Sequence, residues 1–308
     1  MPSSRQQADA RLPTVAWLLL VAAGCTVLVF AVDDVFVMTT RGQLVDSAAL
    51  QGAQIGRRHI IEPVQQVLDM VSVGALAAAG LVAGAVALLR RRVLLAAVAV
   101  TMVVGSNVTT QLLKYQLLQR PDLGIATEGM RGNTLPSGHT TVAMSVAAAA
   151  LLVAPARLRG LVAVLAAAYG AATGVATLSA GYHRPSDAVA AALVVGAWAA
   201  GLGALVVVVT PGRGEDRMAP PGARRGHPVV ASLLGAAAVT LLAVGALATY
   251  ATARSLPGSL DRAGLLLAYG GGAALIAGTA VSVIATLVVV VHRVVPPIAV
   301  VPTELSYV

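Results

Sequence analysis

The chain has 308 residues, of which 57% are hydrophobic and 11% charged, with a mean hydropathy of +0.83; no water-exposed globular surface is built from that composition, so lipid is the solvent for most of it. The formal charge of +8 comes from arginines scattered between apolar runs, and with only 3% aromatic residues it points to membrane orientation and excludes a nucleic-acid partner. The single cysteine, Cys25, excludes an intramolecular disulfide and a multi-cysteine metal site.

A bilayer span needs roughly 20 mostly apolar residues. The first such run covers 14–32 and continues past Cys25 to Val32, which predicts a retained first helix rather than a cleaved signal or a lipidated cysteine. Residues 33–66 follow as a loop whose Ala, Leu, Gln and Ile content predicts a short interfacial helix. Spans are then predicted at 67–89 and 93–113, separated by Arg90, Arg91 and Arg92, and at 140–156, 161–180 and 187–210. Residues 211–228 read as a Pro-, Gly- and Arg-rich linker, 229–252 and 264–291 as two further spans, and 292–308 as a tail. The fold class is all-α, a polytopic membrane bundle with a six-helix core over 1–210 and two additional helices within 229–291. The Ala and Gly richness of the spans, including Gly270, Gly271 and Gly272, predicts close backbone contact between helices.

Arg and Lys set the orientation, because short cytoplasmic loops retain positive charge. Twelve fall on the side of Arg5, Arg11, the 90–92 cluster, Arg157, Arg159, the 211–228 linker and Arg293; nine fall on the other, where Asp33, Asp34, Asp46 and Glu62 offset them. Both termini are therefore expected in the cytoplasm.

Polar residues concentrate in two loops on the opposite, outer side. The first begins at Lys114, the only lysine, passes Arg120-Pro121 and ends in Pro136-Ser137-Gly138-His139 at the start of the fourth span. A Ser and a Gly at a helix start present a hydroxyl and backbone N–H groups to an anion, and Lys114 and Arg120 supply charge to neutralise a phosphate; taken alone, the same tetrapeptide also reads as a plain N-cap after a turn. The second loop is Gly181-Tyr182-His183-Arg184-Pro185-Ser186-Asp187. A carboxylate four residues after a histidine can fix its tautomer and leave the other ring nitrogen nucleophilic, while the alternative makes Asp187 a helix cap and His183 an interfacial polar residue.

The order Lys…Arg-Pro, Pro-Ser-Gly-His, His-x-x-x-Asp at the outer ends of the third, fourth and sixth spans resembles the type 2 phosphatidic acid phosphatase superfamily, over roughly residues 60–210. The resemblance implies that His183 is a nucleophile forming a phosphohistidine, Asp187 its orienting carboxylate and His139 the acid for the leaving oxygen. It implies that Lys114, Arg120, Ser137 and Gly138 hold the phosphate, with no metal and no cofactor. The partners it implies are a lipid phosphate substrate and membrane lipids. Polyprenyl diphosphate leads, followed by phosphatidic acid and phosphatidylglycerol phosphate, hydrolysed at the extracytoplasmic face of the cell membrane. A phosphotransferase using the same histidine and a catalytically impaired lipid-binding protein are the alternatives. Two positions depart from the family pattern: five residues rather than six separate Lys114 from Arg120, and Thr177 stands where the third motif usually has an arginine. Arg184 or Arg131 are the candidates to replace it.

Overall fold

The computed structural model describes residues 12–69, 85, 93–125, 132–210 and 228–294. Among these residues there are α-helices and no strands. They are α1 (Leu12–Val32, continued by a π turn Asp33–Val37), α2 (Thr40–Gln54), α3 (Arg57–Asp69), α4 (Val93–Leu112, continued by a π turn Leu113–Leu117), α5 (Gly138–Val153), α6 (Arg159–Ser179), α7 (Pro185–Val209), α8 (Pro228–Ser255) and α9 (Arg262–Val294). Most of the span predicted at 67–89 lies outside the described residues.

Six of the described helices are long and apolar enough to cross a membrane. With no water in the bilayer core, each must satisfy its backbone groups internally, which is why uninterrupted apolar runs become helices with bounds within a few residues of those expected. At 16 residues α5 spans about 24 Å, less than the roughly 30 Å hydrocarbon core. It lies inside the bundle, packed against α4, α6 and α7, with most of its residues buried.

Small residues let the helices approach. A Cβ at Gly174 of α6 would collide with Ile276 of α9 at 2.5 Å, and one at Gly278 of α9 would meet Leu242 of α8 at 2.9 Å. Within the Gly270–Gly272 run, Gly271 faces Ala248 of α8 and Gly272 faces Pro185 of α7, whereas Gly270 looks into open space. Polar bonds between helices add to this packing: Thr110 Oγ1 and Thr141 Oγ1 lie 2.9 Å apart, and Trp198 Nε1 donates to Thr109 Oγ1 at 3.0 Å. The main core runs through α4 to α7 and includes Ile284, Leu287, Val288 and Val291 of α9, so the last helix is part of the same packed interior.

The 33–66 segment differs from expectation. It forms two helices, and α2 is buried rather than interfacial: Gln43, Val45, Asp46, Ser47 and Ala48 to Leu50 are all shielded. The reason is its contact with α9 and with the start of α7. Gly52 has no room for a Cβ because the backbone carbonyl of Leu265 occupies that position, so α2 sits backbone-to-backbone on α9.

Candidate active site

The two motif loops meet at one end of the bundle. Gly181, at φ +72°, ends α6 in a left-handed turn that L side chains seldom adopt, and its N–H donates to Leu178 O at 2.9 Å. The N–H groups of Tyr182 and His183 both donate to Thr177 O, at 2.9 and 3.2 Å, which turns the chain directly into α7. The N–H of Ser137 donates to the carbonyl of Asp187 at 2.9 Å, joining the start of α5 to the start of α7. With this bond Pro-Ser-Gly-His lies against His-x-x-x-Asp.

His183 Nδ1 lies 3.1 Å from Asp187 Oδ2, with both residues buried. Asp187 is the third residue of α7, where a carboxylate is favoured, and its Oδ2 also accepts from the Arg184 N–H at 3.0 Å. With Nδ1 held by the carboxylate, Nε2 is the nitrogen left for chemistry. The His139 ring centroid is 6.4 Å from that of His183 and 6.4 Å from that of Tyr182, so a small group between the two imidazoles can touch both.

Ser137 combines both readings of its motif. Its Oγ caps α5, accepting from the N–H of Thr140 at 3.3 Å and from Thr140 Oγ1 at 3.0 Å, while its own hydroxyl hydrogen can still be donated. Gly138 opens α5, where a backbone N–H has no intrahelical acceptor, and a Cβ there would meet only Gln111 Nε2 at 3.8 Å. Lys114 sits in the π turn closing α4, and Arg120 lies in the non-helical segment that follows its C-cap Leu118; Lys114 forms no ion pair with a described residue.

The guanidinium groups are the most informative feature. All three nitrogens of Arg120 are sealed from solvent with no hydrogen-bond partner among the described residues. Arg184 is fully buried; Nη1 donates to Thr134 Oγ1 at 3.0 Å, whereas Nε and Nη2 have no such partner. Burial first, and then the charge of Arg184, press the Arg120 guanidinium below its ordinary range, partly offset by Asp46, Asp187 and Asp33. Buried N–H groups are rarely left unpaired, and two cations that repel each other are reconciled by an oxyanion between them. Thr177, at the position where the family pattern has arginine, is buried with Oγ1 donating to Gly174 O along its own helix at 2.7 Å. Arg131 lies outside the described residues.

Four residues that sequence reasoning passed over support this geometry. Asn133 Nδ2 donates to the carbonyls of Lys114, Leu118 and Leu135 at 3.0 to 3.2 Å, tying the loop to the end of α4. Thr134 holds Arg184. Gln43 Nε2 donates to Val37 O at 2.7 Å and Pro121 O at 3.0 Å, fixing the backbone next to Arg120. Asp46 accepts from Ser186 through both its Oγ and its N–H, at the first turn of α7. Burial pushes the Asp46 carboxyl up to about 7, with the Ser186 hydrogen bond opposing and Asp187 reinforcing the shift. Asn133 and Thr134 lie in a loop already marked as polar, so their neighbourhood was a signal; Gln43 and Asp46 lie in a stretch that reads as interfacial. Among the described residues no three His, Cys, Asp or Glu side chains converge as a metal site would require.

Residues 92–211, which contain every one of these motif residues, match the family model of the PAP2 superfamily. That match is to the same superfamily that the order of the motifs resembles. The family supports a phosphatase-type activity on lipid phosphates in general, and the apolar helices make the protein a membrane one. The PAP2 segment ends with α7, so α1, α2, α3, α8 and α9 lie outside it. No curated protein and no solved structure matches the chain.

Proposed function

We propose that the chain is an integral membrane phosphatase that hydrolyses the phosphomonoester or diphosphate of a lipid, polyprenyl diphosphate foremost, at the extracytoplasmic face. His183 Nε2 attacks the terminal phosphorus as Asp187 holds the ring. The bond to the leaving oxygen breaks, and His139 protonates that oxygen, which departs as a lipid alcohol or, from a diphosphate, as a lipid monophosphate. A water, losing its proton to His139, then attacks the phosphohistidine, releasing inorganic phosphate and restoring both histidines. Arg120, Arg184, Lys114, the Ser137 hydroxyl and the Gly138 N–H stabilise the charge on the three equatorial oxygens, which is most of what phosphoryl transfer requires.

The observation that carries this reading is the conjunction of the His183–Asp187 pair with the sealed, unpartnered N–H groups of Arg120 and Arg184 inside the PAP2 segment. Release of phosphate from a panel of lipid phosphates by the purified protein tests it, with His183→Ala as control. Wild-type turnover in His183→Ala would remove the nucleophile assignment, and no turnover on any lipid phosphate would remove the activity.

A further inference from the structure

Away from the catalytic residues the protein contains a separate space. A cavity of about 740 Å³ lies between α1, α2, α7, α8 and α9. None of His139, His183, Arg120, Arg184, Lys114 or Ser137 lines it; from α7 it takes the row Val189, Leu193, Gly196 and Ala200. It is almost wholly apolar, and its only charged lining residues, Arg41 and Asp46, both belong to α2 at its outer end. Asp46 is buried against Ser186, whereas Arg41 is exposed at the rim.

The dimensions identify what fits. Along α9 the lining runs from Ala268 to Val290, which at about 1.5 Å per residue is roughly 33 Å, close to the hydrocarbon thickness of a bilayer. The lining stays apolar over nearly this whole length, which is the surface an extended hydrocarbon chain requires. A chain in this space would place its head group at the outer rim beside the Arg41 cation, where an anionic head is favoured.

We infer that this cavity is a binding site for one hydrocarbon chain of a resident anionic phospholipid, separate from the catalytic pocket and walled by α8 and α9. The site gives the two helices beyond the PAP2 segment a role that does not depend on the proposed reaction. It also sets a lipid against the Asp46–Ser186 contact at the first turn of α7, one residue from Asp187.

Thermal unfolding of delipidated protein in a neutral detergent tests the inference, with dioleoyl phosphatidylglycerol as probe because its phosphodiester is not a phosphomonoester substrate. The wild type and His183→Ala are both expected to gain about 5 °C or more at saturating lipid, and dihexanoyl phosphatidylglycerol to give little. Ala246→Trp, which fills the cavity from an exposed position on α8, should abolish the gain. Arg41→Gln should reduce it to that given by dioleoyl phosphatidylcholine. An equal gain in Ala246→Trp, or from the short-chain lipid, overturns the inference. A gain lost in His183→Ala overturns it too, in favour of binding in the catalytic pocket. Should Ala246→Trp not fold, the sole cysteine supplies a second reading, since Cys25 lines the same cavity. Dioleoyl phosphatidylglycerol should slow its alkylation by N-ethylmaleimide at least tenfold in the wild type, and an unchanged rate would refute the site.

Discussion

Arg184→Ala is the most informative single substitution in the proposed phosphate pocket. It removes a fully buried guanidinium whose Nη1 is spent on Thr134 and whose Nε and Nη2 have no protein partner among the described residues. If those two N–H groups hold phosphate oxygens, each charge-assisted bond contributes about 1.5 to 3 kcal/mol. Their joint loss then costs about 3 to 6 kcal/mol, or roughly 10² to 10⁴ in kcat/KM at 1.36 kcal/mol per decade. Arg184→Lys keeps the charge but not the fork, and should fall between alanine and wild type. The assay is steady-state phosphate release from one lipid phosphate in mixed micelles, with the affinity for orthovanadate measured in parallel. Vanadate resembles the five-coordinate transition state, so its affinity should weaken by a comparable factor, which a merely structural role for Arg184 would not produce. Thr177→Arg, added to Arg184→Ala, should recover part of the loss, because it restores a guanidinium where the family pattern has one. A folded Arg184→Ala enzyme with kcat/KM within threefold of wild type would refute the reasoning.

Asp46 offers a pH test. Its carboxyl is pushed up to about 7 in the folded protein against roughly 3.9 in an unfolded chain, so between those values the folded state holds a proton that the unfolded state has lost. Stability contributed by this group is therefore full below about pH 4, falls as pH rises and is lost above about pH 7. In Asp46→Asn the decline across that window should flatten in a melting-temperature series, and an unaltered slope would contradict the buried, protonated Asp46. Phosphate release should persist in chelator and be inhibited by orthovanadate, because the reaction drawn above uses only groups of the chain itself and water; activity lost to chelator and restored by a divalent cation would overturn that. For orientation, cysteines at Asp122 and Ser259, in a Cys25→Ala background, should react with an impermeant thiol reagent on intact cells while one at Arg157 should not. All three positions are exposed in segments that connect helices, and labelling confined to Arg157 would invert the topology.

What the sequence determined by itself was the class of fold and the chemistry to look for. An apolar run in lipid has to be a helix, since its backbone groups find no other partner, and that local necessity puts α1, α4 and α6 to α9 close to their expected bounds. The motif residues were legible because polar and ionisable side chains are costly at a membrane boundary and so stand out against Ala, Val and Leu. The tertiary structure alone decided the rest. Whether Arg184 faces lipid or a pocket depends on Thr134, 50 residues away, and whether α2 lies on the surface depends on how closely Gly52 lets it approach α9. The Asp46–Ser186 contact joins positions 140 residues apart, and no local pattern around Asp46 distinguishes a buried acid from an interfacial one. Helix formation is a property of a stretch of chain, but the partner that makes a buried polar group tolerable is chosen by how the helices pack.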